Sequence, residues 1–138
     1  MPLNTQIAAA TVNAEAAALA ALCNNGLIRV YDGAQPATGD TALAANTLGV
    51  TLTFGAVAFP ASVNGLLTSN AITAGVAVAS ITPTWARIFR SDGTTAVMDV
   101  SCGTAASNMI IGAFTSGTSV TIAAGAFTHN VRPATAGL

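Results

Sequence analysis

The carboxylate, imidazole, thiol and guanidinium side chains of this sequence number twelve: Glu15, Asp32, Asp40, Asp92, Asp99, His129, Cys23, Cys102 and the arginines 29, 87, 90 and 132. Paired carboxylates are the usual tools of general acid–base catalysis and must be held together to work. Asp32 and Asp92 each precede a glycine in a turn-like Asp-Gly pair, and Asp99 falls on the polar face of an alternating segment. Nothing in the spacing gathers two of them. His129 is the single histidine, which excludes metal sites built on two imidazoles. A Cys102–His129 dyad is conceivable because both lie in C-terminal strands. A reactive thiol, however, needs an accessible, electropositive setting, and Cys102 alternates onto the apolar face. Asp32 and Asp40 flank a loop that could share a calcium ion, although the pattern is unspecific. No Gly-x-Gly-x-x-Gly, Walker, Gly-x-Ser-x-Gly or calcium-loop motif occurs. The reading is a chain with no catalytic, cofactor-binding or metal-ligating residue, and not an enzyme.

The residues left over suggest contact. Trp85, Arg87 and Phe89 share one face of a strand, and tryptophan and arginine are enriched at interface hot spots. Val12 and Leu19 belong to a helical apolar stripe that could meet a partner. These five are the candidate partner-contact residues. The competing reading puts Trp85 and Phe89 in the core, and the hairpin register favours it by setting Phe89 against Ala96 and Arg87 against Met98. A sugar platform would have only Trp85 and Tyr31 to use. Thr51/Thr53 and Thr82/Thr84 lack the regular ladder an ice-binding face needs.

Composition narrows the partner. Charged residues make up 7% of the chain, against about 25% for an ordinary domain. Hydrophobic residues reach 52%, but 31 of them are alanine, and Leu, Ile, Val and Phe total 34 of 138 residues. That is enough for a core made largely of small side chains. Four arginines and no lysine make no cationic footprint, so nucleic acid is excluded as a partner. A fold of this mass exposes on the order of 6,500 Å². Nine charges at most can decorate it, and so neutral a skin resists self-association poorly. Either the 19 threonines and other small polar residues keep it wet, or it is pressed against other protein.

Residues 5–24 read as the one helix, rich in alanine, with Asn4 or Thr5 as N-cap. Val12, Ala16, Leu19 and Cys23 form its stripe, and Asn24-Asn25-Gly26 can take a left-handed C-cap. The helix buries too little to stand alone and is expected against a sheet or a partner. After Gly26 the period changes to two. Strands are expected at 27–31, 48–55, 76–81, 84–90, 95–102, 109–111, 118–122 and 126–131, with turn residues at 60–70 around a short Leu66-Leu67-Thr68 segment. Asp92-Gly93 predicts a two-residue type I′ hairpin, which places Asp99 opposite Ala86 with Arg90 as its solvated ion partner. Short strands punctuated by glycine predict an all-β sandwich or barrel. The organisation is one domain: a helical segment at 1–26, a sandwich at 27–132 and a loose tail at 133–138. Edge strands are normally blunted with lysine or proline; with no lysine available, an edge or face should be covered by the helix or another chain.

No apolar run is long enough for a membrane helix, and the N-terminus lacks a cationic signal region. Leu19-Ala20-Ala21-Leu22-Cys23 is a poor lipidation box because Leu22 is too large. No asparagine sits in a glycosylation sequon. Cytosolic synthesis without secretion is expected, with thiols reduced by default and a Cys23–Cys102 disulfide left open.

Several segments together carry a family likeness: Ile28-Arg29-Val30-Tyr31-Asp32-Gly33, Gln35-Pro36-Ala37, Asp40-Thr41-Ala42-Leu43, Leu52-Thr53-Phe54, Ala58-Phe59, Ala71-Ile72-Thr73, Ala86-Arg87-Ile88-Phe89, Ser91-Asp92-Gly93-Thr94-Thr95 and Val97-Met98-Asp99. The chain thereby resembles small proteins encoded among the head genes of tailed bacteriophages, including capsid cement (decoration) proteins. The likeness covers roughly residues 27–103. It implies a jelly-roll-like sandwich that sits on the outside of the virion head, with the major capsid protein as partner. It also implies a homo-oligomer, dimer favoured over trimer, and no cofactor, membrane or nucleic-acid partner. Tail or fibre components and carbohydrate-binding modules are the alternatives.

Overall fold

The computed structural model describes residues 7–131. The expected caps Asn4 and Thr5 and the tail from 133 lie outside them. Helix α1 spans Ala9–Cys23 with Ala8 at its N-cap and no side-chain capping hydrogen bond. It therefore starts later than the composition predicts, since residues 7 and 8 are not helical. Without caps or charged ends, packing holds it. Val12, Ala16, Ala20 and Cys23 are buried, so Ala20 takes the place in the stripe expected of Leu19, which packs partly buried at the core's margin. Asn13 ties the helix to the chain beyond: its Oδ1 accepts from Ser62 Oγ at 2.8 Å and Gly65 N at 3.0 Å. At the C-terminus Asn25 takes φ +56°, the left-handed turn read from its neighbours. Gly26 follows because a Cβ there would stand 2.3 Å from the Phe89 carbonyl oxygen.

Ten strands follow: β1 Leu27–Tyr31, β2 Leu48–Phe54, β3 Leu66–Thr68, β4 Ile72–Thr73, β5 Gly75–Val76, β6 Trp85–Phe89, β7 Ala96–Gly103, β8 Met109–Ile110, β9 Ser119–Val120 and β10 Thr128–Asn130. The expected 76–81 strand is a correction. Only Gly75–Val76 pairs as strand, and Ile81 makes a single bridge to Phe114. Six strands form one curled sheet in the order β4-β2-β1-β6-β7-β8, antiparallel except for β7–β8. Two two-stranded ribbons, β10–β3 and β5–β9, complete the β structure. The described residues are β-rich with one helix, as composition and glycine punctuation predict. The sheet's edges are blunted by brevity, since β4 and β8 are two residues each.

The inner face of the sheet, with Ile28, Val30, Val50, Leu52, Phe54, Ile88 and Val100, faces the core. Phe54, Phe59 and Phe127 meet there at centroid distances of 5.4–5.8 Å in tilted or edge arrangements. Alanines 16 and 20 of α1 join the same cluster, so the helix covers a face and not an edge.

Candidate functional site

The outer face of the sheet carries the side chains that alternate away from that core: Leu27, Arg29 and Tyr31 from β1, Thr51 and Thr53 from β2, Trp85, Arg87 and Phe89 from β6, and Asp99 from β7. Cross-strand pairing sets them in rows. Tyr31 faces Trp85, and Arg29 faces Arg87, which in turn faces Asp99. This register differs from the expected one. Phe89 does face Ala96, but a bulge between Ile88 and Phe89 shifts everything beyond it by one residue, so Arg87 meets Asp99 and Ile88 meets Met98. The turn differs too. Gly93 takes φ +72° while Asp92 is not left-handed, so the loop is not the two-residue type I′ turn. Arg90 N–H donates to the Thr95 carbonyl and Gly93 N–H to the Arg90 carbonyl, both at 2.9 Å.

Asp99 is therefore not the solvated partner of Arg90. Arg87 Nε donates to Asp99 Oδ1 at 2.7 Å and Nη2 to Oδ2 at 2.9 Å, a two-point fork with side chains only 8% and 4% exposed. That hydrogen bond, reinforced by the Asp99 charge, raises the guanidinium pKa further. Arg87 also stands 5.4 Å from the Trp85 ring, and Tyr31 stacks on Trp85 at 4.8 Å.

The segment between β1 and β2 lies over this half of the face. Trp85 Nε1 donates to the Asp32 carbonyl at 3.2 Å and Thr84 Oγ1 to the Gly33 carbonyl at 2.6 Å. Asn46 Nδ2 pins the same segment through the carbonyls of Asp32, at 2.8 Å, and Ala34, at 3.1 Å. Trp85 is consequently 0% exposed. The three residues expected to form a contact patch are buried within the chain itself: Trp85 and Arg87 lie beneath that segment, and Phe89, under the Arg29 guanidinium, is 9% exposed. Val12 is likewise buried in the helix stripe and Leu19 packs against the core. Where residues 35–40 run past Ala96–Asp99, a recess of about 350 Å³ remains.

The rest of the expected chemistry is dispersed. Burial pushes the Cys23 thiol up to about 11 and the Cys102 thiol up to about 12, the opposite of an activated nucleophile, and both are free. His129 sits in β10 opposite Leu67, with burial lowering its pKa. The Asp32 carboxylate accepts from Thr47 N–H at 2.7 Å. Among the described residues no cluster of three or more His, Cys, Asp or Glu could hold a metal ion.

Large apolar side chains stand on the surface elsewhere: Val63 is 70% exposed, Val78 67% and Val76 63%, with Val57, Leu43, Leu66 and Ile110 exposed as well. Sequence reasoning singled out none of these seven. A second recess, about 430 Å³, runs between residues 110–114 and 119–121 beside Thr104. No family model, curated protein or solved structure matches the chain.

Proposed function

We propose that this chain is a structural virion protein: a decoration protein that binds the outer surface of a tailed-phage head and stabilises the shell by bridging capsid subunits. The observation that carries the reading is the skin of the molecule, where Val63, Val76 and Val78 are more than half exposed on a chain with 7% charged residues. Such a surface fits one that is covered by protein in use. The resemblance across residues 27–103 points the same way. In this reading the curled sheet is a jelly-roll derivative. Supporting it is the adjacency of β1 and β6, strands far apart in sequence, as long-range antiparallel connections produce.

The physics of such a role is additive. One contact of about 1,000 Å² is weak or transient, but copies repeated on a lattice, each spanning two subunits, gain from effective concentration. Binding only the assembled shell then stabilises it by mass action. A homodimer, favoured over a trimer, presents the surface twice. Quantifying the protein in purified virions tests the assignment. Many copies per particle, and heads that disrupt at lower temperature without it, are expected. A handful of copies per particle would instead assign it to the tail or fibre. Binding to glycans as an isolated monomer, with no affinity for shells, would make it a carbohydrate-binding module.

A further inference from the structure

We propose that Arg29 is the docking point for a carboxylate side chain of the protein this chain binds, with the ring of Phe89 as its platform. The inference deepens the reading above by naming the chemistry of one contact. Arg29 is half-buried on the outer face of β1, with its guanidinium carbon 4.7 Å from the Phe89 ring centroid. Its Nη2 lies 3.9 Å from where a Cβ on Gly93 would stand, so the group rests between the ring and the hairpin turn. Among the described residues it has no hydrogen-bond acceptor and no ion partner. The neighbouring carboxylates are taken: Asp99 by Arg87, and Asp92 by Thr94 and Thr95. Arg87 directly across the strand pair adds a like charge to the row.

A guanidinium presents five donors in a planar fork that matches a carboxylate. Partial burial strips some of its water, and the ring holds it in place, so an incoming carboxylate finds a pre-oriented partner. Around it Leu27, Thr51 and Thr53 are half-buried and uncharged, so an anionic partner must come from beyond these neighbours. A neutral partner side chain leaves the cation further desolvated and unpaired, which disfavours that contact. A carboxylate-bearing protein surface is thus the occupant that charge complementarity selects.

Two measurements on the full chain test this. In the first, tetraglutamate peptide is titrated against the ¹⁵N-labelled protein at constant ionic strength, following the arginine Nε–H signals. Arg90, exposed and unstacked, is the internal control. A saturable displacement at Arg29 well above that at Arg90 is expected, with Arg87 unmoved. Equal displacement at Arg29 and Arg90 would reduce the effect to general charge attraction and overturn the proposal. An Arg29 signal that shifts with protein concentration alone would assign the carboxylate to a second copy and overturn it as well. In the second, Arg29→Gln and Arg29→Lys are compared with wild type for binding to purified shells. Roughly tenfold weaker binding is expected for Arg29→Gln, the scale on which interface arginines act, with Arg29→Lys between the two. Shell binding by wild type and Arg29→Gln alike overturns the Arg29 assignment and leaves the decoration role standing. Failure of wild type to bind any shell, with selective peptide capture intact, removes the decoration role and leaves the carboxylate site.

Discussion

Arg29 and Arg87 face one another across β1 and β6, yet they occupy opposite kinds of surroundings. Arg87 lies under the segment that joins β1 to β2, forked onto Asp99 and set beside Trp85. Arg29 lies on the half of the same face away from that segment, over one ring and, among the described residues, with no ion partner. The covered half behaves as a second, small core, in which polarity is allowed because each polar group is answered. The other half keeps its cation half-buried and, among the described residues, without a counter-charge. One sheet face can thus be interior at one end and exterior at the other, and what decides it is where a connecting segment lies.

The sharpest way to break this contrast is to remove one partner from the covered half. Asp99→Ala leaves Arg87 charged and buried with no counter-charge and only the Thr38 carbonyl, 3.4 Å from Nη2, as acceptor; losing one partner of a buried pair costs about 3–5 kcal/mol in comparable cases. Trp85→Ala removes a fully buried indole, at about 3–5 kcal/mol. Both should appear in urea unfolding as a lower midpoint with an unchanged slope. Losses under 1 kcal/mol for both would mean that the covered half is not a core. Replacing Arg87 and Asp99 together by Met and Leu should restore most of the loss, since removing both charges leaves neither stranded.

The structure also shows why the fold was more legible in the sequence than the site. Strand β1 lies where the period-two reading puts it, because alternation against turn residues is a local signal. The bulge in β6–β7 is not local. Even so, a register that opposes Arg87 to Met98 sets an outward residue of one strand against an inward residue of its neighbour, which a pleated sheet does not permit. One extra residue resolves that conflict. Val97, the residue that interrupts the alternation of 95–102, is the one left between the pairs of Ala96 and Met98. Burial of Trp85 had no such signal, since it depends on a turn-rich segment folding back over the face. The same holds for exposed Val63 and Val78, whose neighbours read as ordinary strand or turn.

Weaker changes sharpen the comparison. Asn46→Ala removes two donors that pin the covering segment, at about 1 kcal/mol per lost hydrogen bond. Trp85 is the chain's single tryptophan, so its fluorescence reports on the covered half alone. Acrylamide should quench wild type poorly and Asn46→Ala measurably better. Equal quenching would show that the segment is held by other means. On the open half, Arg29→Gln should change the unfolding free energy by no more than about 0.5 kcal/mol, the range of surface substitutions. A larger loss would make Arg29 a structural residue.

The smallest effect lies in the turn beneath Arg29. Thr95 donates its hydroxyl and its N–H to the Asp92 carboxylate, and Thr94 donates its N–H. These bonds hold the Asp92 pKa down at about 2, from an ordinary value of 3.8. Because the folded value is the lower one, the carboxylate favours the folded turn fully above about pH 4, and that contribution fades as the pH falls towards 2. Asp92→Asn lacks the ionisation and should show a shallower loss of stability across that window than wild type. The difference should concentrate in the amide exchange of Thr94 and Thr95. Parallel acid limbs for the two proteins would mean that the turn is held by Gly93 and the Arg90–Thr95 backbone pair, with the carboxylate a bystander.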